Sequence, residues 1–157
     1  MRLAVGTWRM TVALRIGAFF CLLPTAYCQL SCSIPNLESQ QCSEARDAVK
    51  EFYSFHFGND MRPSIVNLEQ SKRFLTPELI GELSTRPETT NDYFTATDNY
   101  PKAFRVGVCR ASSASEVTIQ VVLFWKDDTR SEQKEVIVNT IKQGDKWLIN
   151  KVESGLV

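Results

Sequence analysis

The spacing of apolar residues changes from a helical to a strand-like period along this chain. From residue 43 to about residue 57, apolar side chains recur at intervals of three and four residues, as on one face of a helix. Ser43 is placed to cap this helix, and Gly58 to end it. The pattern predicts one long amphipathic helix. Its buried face would contain Ala45, Ala48, Val49, Phe52, Phe55 and His56.

Two shorter helical stretches are predicted next. The first runs from Pro63 to about Leu75. The second begins at "TPEL", where Thr76 caps the helix and Pro77 occupies the first turn, in which its missing N–H costs nothing. Pro87 ends this helical half of the chain.

Beyond residue 102 the apolar residues alternate with a period of two, which is typical of strands. Phe104, Val106 and Val108 would share one face of a first strand. In the second strand, Val122 and Phe124 lie opposite a longer inward-facing set. That set is Val117, Ile119, Val121, Leu123 and Trp125.

A third strand is predicted around "VIVNTI", and "QGDK" then forms a tight hairpin into a fourth strand, "WLINKVE". Short connections favour an antiparallel meander. Helices followed by strands indicate an α+β domain, with three helices packed on one face of a curved sheet of about four strands.

Residues 1–28 have the pattern of a signal peptide. Three arginines and the apolar run "IGAFFCLLPTAYC" precede the first acidic residue, Glu38. The run is too short to span a bilayer, and Ala26 and Cys28 are the small residues expected before a cleavage site. We therefore expect a periplasmic or secreted protein with no integral membrane segment after cleavage. Residues 29–42 would be a flexible segment, and residues 43–154 the folded domain.

The charge balance excludes two classes of partner. The leader contains three arginines and no acids, so the mature chain would have 15 basic and 18 acidic residues. Nucleic acids and anionic membrane surfaces both require clustered Lys and Arg. The sequence thus predicts no nucleic-acid partner.

Three cysteines, Cys32, Cys42 and Cys109, would remain after cleavage. In an oxidising compartment a disulfide is expected, but three thiols cannot all pair within one chain. A Cys42–Cys109 bond would tie the first helix to the sheet, whereas a Cys32–Cys42 bond would close a short loop. Lipidation of Cys32, which would anchor the protein to a membrane, is a further possibility that would leave Cys42 and Cys109 as a pair. The spacings match no metal site, because Cys-x-x-Cys is absent and His56 is the single histidine.

Several segments resemble the nuclear-transport-factor-two-like superfamily. They are "SEARDAVKEFYSFHF", "KRFLTPELIGEL", "DYFTATDNY" and "VNTIKQGDKWLINKVES". The chain is most similar to an exported, mostly bacterial branch known as a domain of unknown function. The resemblance covers residues 43–154 and implies a cone of helices and bent sheet around an internal cavity. Enzymes of the superfamily place an Asp–His pair or an acidic base in the cavity; His56 is the nearest match here. The fold hosts enzymes, binding modules and dimerisation domains alike.

The loop "NDYFTATDNYP" between the two halves holds the candidate chemistry. In one interpretation, Asp92 and Asp98 form the polar rim of an aromatic pocket, with Tyr93, Phe94 and Tyr100 contacting a ligand. In the other, the aspartates accept hydrogen bonds from nearby backbone N–H groups, and the aromatic rings cover the end of the fold. Two residues outside the loop, Tyr53 and Trp125, are further candidates for ligand contact.

Three functions follow from these features. The first is a non-catalytic domain that binds a small apolar ligand, a peptide or a protein partner, without a cofactor. The second is a lyase or isomerase in which His56 acts with Asp92 or Asp98, which requires these groups to lie within hydrogen-bond reach. The third is a homodimer formed through the outer sheet face, where Val122 and Phe124 would be exposed.

Overall fold

A computed structural model describes residues 38–87, 90–126 and 131–155 of the chain. Within these ranges the chain forms three α-helices and then four strands of a single antiparallel sheet. The predicted α+β order is therefore confirmed. The predicted signal peptide and Cys32 lie outside the described residues. Across those ranges, no helix has both the length and the apolar character needed to cross a membrane.

Helix α1, Gln40–Gly58, begins earlier than predicted. The side chain of Ser39, rather than that of Ser43, caps it by accepting a hydrogen bond from the backbone N–H of Cys42. Residues 40–42 therefore belong to the helix and not to a flexible segment. The predicted buried face is present, and Tyr53 extends it.

The predicted helix from Pro63 to Leu75 is shorter in the structure. Ser64 caps α2, Ile65–Ser71, and a single 3-10 turn follows at Lys72–Phe74. Leu75 is extended because it pairs with Ile149 of the last strand. Helix α3, Pro77–Ser84, begins as predicted, with Thr76 accepting a hydrogen bond from the N–H of Leu79.

The sheet is a meander in which every neighbouring pair is antiparallel. Its strands are β1, Ala103–Ala111; β2, Glu116–Lys126; β3, Ser131–Gln143; and β4, Lys146–Ser154. Gly144 allows the tight turn between β3 and β4, because its φ of +61° is a conformation that side chains disfavour. The predicted glycine hairpin is thus confirmed.

A β-bulge in β1 corrects one predicted face. The pairing with β2 shifts between Val106 and Cys109, so the period of two is interrupted there. Val108 is consequently 58% exposed instead of sharing the inner face, while Cys109 packs against the core. Arg46 of α1 donates a hydrogen bond of 2.5 Å to the carbonyl of Gly107 within this bulge.

The core lies between α1 and the inner face of the sheet. The inward-facing residues of β2 are buried as predicted, and Trp125 and Trp147 belong to the same cluster. Phe52 and Tyr53 of α1 are among the fully buried side chains of this core.

The outer face of the sheet offers less apolar surface than predicted. Val122 is only 4% exposed, and the guanidinium of Arg105 lies 5.8 Å from the ring of Phe124. These two residues were the reason to expect a homodimer. The homodimer itself stays a prediction.

A disulfide and the partly exposed carboxylate of Glu44 join the start of α1 to the sheet. Cys42 and Cys109 are bonded, with Cα atoms 5.8 Å apart, which is one of the pairings left open by the sequence. Glu44 accepts hydrogen bonds from Lys142 Nζ at 2.8 Å and Trp147 Nε1 at 3.1 Å. The bond from Lys142, followed by those from Trp147 and Gln40, lowers the pKa of Glu44 from 4.5 to about 2.

We expect Glu44→Gln to destabilise the fold in a pH-dependent way. Because the folded pKa of about 2 lies below the unfolded value of 4.5, ionised Glu44 stabilises the fold above pH 4.5. This contribution disappears as the pH falls towards 2. In urea, the free energy of unfolding of Glu44→Gln should be lower than that of the wild type at pH 7, and the difference should shrink below pH 4.5. Glu51→Gln, an exposed change on the same helix, is the control; equal deficits in both variants would contradict the prediction.

Candidate functional site

The loop between α3 and β1 is organised around the carboxylate of Asp92. The N–H of Asp92 donates to the carbonyl of Thr97 at 2.9 Å and closes the loop. Its carboxylate accepts hydrogen bonds from the Thr95 N–H at 3.0 Å, the Thr95 hydroxyl at 2.7 Å and, more weakly, the Phe94 N–H at 3.4 Å. Asp92 therefore has the backbone-capping role that was one of the two interpretations of this loop.

The same carboxylate binds the last turn of α1. Nε2 of His56 lies 2.9 Å from Oδ2 of Asp92, and the two side chains are 9% and 4% exposed. The His56 ring stacks on Phe52 with centroids 5.5 Å apart, and Phe94 meets its edge. The sequence named His56 and Asp92 as a candidate pair, and the structure brings them together. Asp98 is exposed and does not line the site.

The hydrogen bonds at Asp92 determine the direction of the contact with His56. Oδ2 receives the N–H and the hydroxyl of Thr95, so it acts as a carboxylate acceptor. Nε2 of His56 must then carry the proton in this bond. Nδ1 has no hydrogen-bond partner among the described residues. The pair thus fixes the imidazole and leaves one ring nitrogen for other partners.

Two tyrosines fasten the loop to the core. The Tyr53 hydroxyl is fully buried and donates to the carbonyl of Phe94 at 2.8 Å. Burial, and secondarily the negative charge of Asp92, raises the pKa of Tyr53 well above 10, so the hydroxyl remains a donor. The Tyr93 hydroxyl accepts a bond of 3.1 Å from the N–H of Val152 in β4.

A pocket of about 290 Å³ lies beside the loop, between the end of α1, α2 and the end of α3. His56 and Asp92 border it together with Tyr93 and Phe94. No strand residue lines this pocket, so it differs in position from the cavity expected inside the cone. Its other apolar lining residues are Met61, Pro63, Ile65, Leu68, Leu83 and Pro87.

The remaining predicted ligand contacts lie away from the pocket. Tyr53 is fully buried in the core, and Trp125 is 4% exposed and donates from Nε1 to the carbonyl of Asn99 at 2.6 Å. Tyr100 is half-buried and does not line the pocket. Tyr53 and Trp125 support the loop and the core instead.

Sequence reasoning missed the outer wall of the pocket. Ile65 and Leu68 lie in the helical stretch predicted from Pro63 to about Leu75, and no contact was predicted for either side chain. The structure leaves Ile65 76% exposed at the pocket edge. Local sequence carries no signal for this exposure, because the helix is only seven residues long in the structure and the predicted stretch reached Leu75.

One group of metal-ligating side chains occurs in the described ranges. Glu38, Cys42 and Cys109 place their ligand atoms within 4.8 Å of one another. The two sulfurs are bonded in the disulfide and have no thiolate to offer. This group therefore does not constitute a metal site in the disulfide-bonded protein.

Comparison with known proteins gives a distant structural likeness. No protein-family model and no curated protein sequence matches the chain. One solved structure that matches is titled an Ntf2-like protein involved in plasmid conjugation. It has 14% sequence identity and a TM-score of 0.46, and the match covers 75% of this chain. The match spans only 40% of that protein.

Tyr53→Phe should destabilise the protein by about 1–3 kcal/mol. The change leaves the buried carbonyl of Phe94 without its donor, and an unsatisfied buried polar group has a cost of this size. Tyr100→Phe is the matched control, because the Tyr100 hydroxyl has no hydrogen-bond partner within the described residues. Urea unfolding of both variants tests the difference; an equal, small effect would show that the Tyr53 bond does not hold the loop.

Proposed function

We propose that this chain is an exported, non-catalytic binding domain of nuclear-transport-factor-two-like type, and that its pocket takes a small apolar molecule or an apolar side chain of a partner. The single observation that carries the proposal is the pocket of about 290 Å³ with an exposed apolar edge at Ile65. Ligand pockets generally start at roughly 300 Å³, so the ligand would be small.

The chemistry of the walls supports an apolar ligand. The polar side chains of α2 bond within their own segment: Ser64 accepts from the N–H of Asn67, and the Ser71 hydroxyl donates to the Asn67 carbonyl. Because these polar groups are already hydrogen-bonded, the surface that α2 offers to a ligand is mainly apolar. Its removal from water would drive binding.

The arrangement of Asp92 supports a non-catalytic role. Every hydrogen bond of this carboxylate either closes the loop or fixes His56. This role in holding the loop explains why Asp92 is buried, so no catalytic role is needed to explain the burial. The Cys42–Cys109 disulfide supports export, because such bonds persist in oxidising compartments.

A neutral probe tests the proposal. We expect n-butylbenzene to shift the amide NMR signals of α2 and of residues 91–94. Ile65→Ser should weaken its binding roughly 3- to 10-fold, since the side chain contributes part of the apolar contact. Val66→Ser is the matched control: Val66 is the next residue, is 65% exposed and does not line the pocket. Absence of binding to the wild-type protein, or equal weakening in both variants, would contradict the proposal.

The His56–Asp92 distance favours a second candidate, a lyase or isomerase. At 2.9 Å, Asp92 could orient the imidazole while Nδ1 removes a proton from a carbon next to a carbonyl group. Positioned acid–base groups contribute about 10²- to 10⁴-fold to rates.

Proton exchange provides the test of this candidate. In D₂O, the protein should accelerate deuterium incorporation into a small ketone such as cyclohexanone, followed by NMR. His56→Phe should reduce the acceleration by a factor of at least about 100. Exchange at the buffer rate with the wild-type protein would contradict acid–base catalysis on this class of substrate.

A further inference from the structure

The imidazole of His56 is a polar group at the pocket whose hydrogen-bonding capacity the fold uses only in part. Its side chain is 9% exposed, and it borders the pocket. Nε2 is bound to Asp92, whereas Nδ1 lacks a partner in the described part of the chain. Within that part, the side-chain polar atom that is both fully buried and without a partner is Nε of Arg46. Nδ1 of His56 also has no partner there, so it is not fully buried and can be reached from the pocket.

The hydrogen bonds of Asp92 give Nδ1 a defined chemistry. Because the Thr95 N–H and hydroxyl both donate to Oδ2, Nε2 of His56 supplies a third donor to the same oxygen. In a neutral imidazole only one nitrogen carries hydrogen, and the other is an acceptor. When His56 is neutral and its hydrogen is on Nε2, Nδ1 presents a lone pair.

We propose that the natural ligand is an apolar molecule carrying a hydroxyl group, such as an alcohol or a phenol, whose O–H donates to Nδ1 of His56. This rests on the proposed binding function and specifies its ligand. A purely apolar ligand would leave Nδ1 without a partner when the pocket closes around it. A hydroxyl group removes that penalty.

The charged residues of the pocket favour a neutral ligand over a carboxylate. The lining includes two guanidinium groups, Arg62 and Arg86, and two carboxylates, Glu69 and Asp92. Arg86 is bound to Glu82 at 2.5 Å and covers the ring of Tyr93. The pocket therefore has no excess of positive charge to compensate an anionic ligand.

Four para-substituted butylbenzenes separate the alternatives, because they share one apolar body. They are n-butylbenzene, 4-butylphenol, 4-butylanisole, which only accepts hydrogen bonds, and 4-butylbenzoate, which is anionic. Binding to the wild-type protein at pH 8 would be measured by NMR titration. We expect 4-butylphenol to bind about 3- to 10-fold more tightly than 4-butylanisole, as one additional neutral hydrogen bond provides.

The variant His56→Phe tests whether His56 is the acceptor of the hydrogen bond from the ligand hydroxyl. Phenylalanine keeps an aromatic ring against Phe52, and Asp92 retains its donors from Thr95 and Phe94. We expect the preference for 4-butylphenol over 4-butylanisole to disappear, whatever the overall affinity of the variant. A dispersed amide NMR spectrum shows that the variant is folded.

The outcomes separate this inference from the binding function. If none of the four compounds binds the wild-type protein, the proposed function fails. If they bind but the phenol has no advantage, or keeps its advantage in His56→Phe, the hydroxyl inference is overturned and the apolar pocket stands. Preferential binding of 4-butylbenzoate would overturn it in favour of recognition by Arg62 or Arg86.

Discussion

The buried carboxylate of Asp92 is the constraint on which the site depends. It is 3% exposed, and withdrawing an ionised group from water carries a penalty of several kcal/mol unless donors replace the water. Here the donors come from both sides: Thr95 within the loop and His56 at the end of α1. The loop and the helix therefore have to adopt their positions together. Phe94 is placed by the same turn, and its carbonyl meets Tyr53.

Helix α1 transmits this constraint to the rest of the domain. Near its start, the disulfide to Cys109 and the bonds of Glu44 to Lys142 and Trp147 hold it against the sheet. Near its end, His56 holds the loop. The wall of the pocket formed by α1 and the loop is consequently well anchored. The opposite wall, α2, buries only Ser71 among its residues and is attached more weakly. The two walls of the pocket are therefore anchored to different extents.

Local rules predicted most elements of the fold, because the relevant signals lie within a few residues. The period of two marked the strands, "TPEL" marked the start of α3, and glycine marked the β3–β4 turn. The bulge in β1 was not predictable in this way, since it depends on pairing with β2 and on the contact of Arg46 with Gly107. The start of α1 was misplaced because Ser39 and Ser43 are both suitable cap residues.

The candidate site was predictable only in part. The residue types of His56, Asp92, Tyr93 and Phe94 indicated chemistry, and all four border the pocket. Sequence could not show that His56 and Asp92 meet, because 36 positions separate them and the contact depends on the path of the loop. The outer wall at Ile65 could not be predicted either, since periodicity shows that a face is apolar but not whether anything covers it.

Comparing Asp92→Ala with Asp98→Ala tests the central claim most directly, because both aspartates belong to the same loop and only Asp92 is buried. The measurement is the free energy of unfolding in urea, together with amide hydrogen exchange of residues 91–97. Asp92→Ala should lose about 2–4 kcal/mol, since several buried donors lose their acceptor, and the amide of Thr95 should exchange faster. Asp98→Ala should stay within about 0.5 kcal/mol of the wild type. Equal stability and unchanged exchange in the two variants would contradict the account.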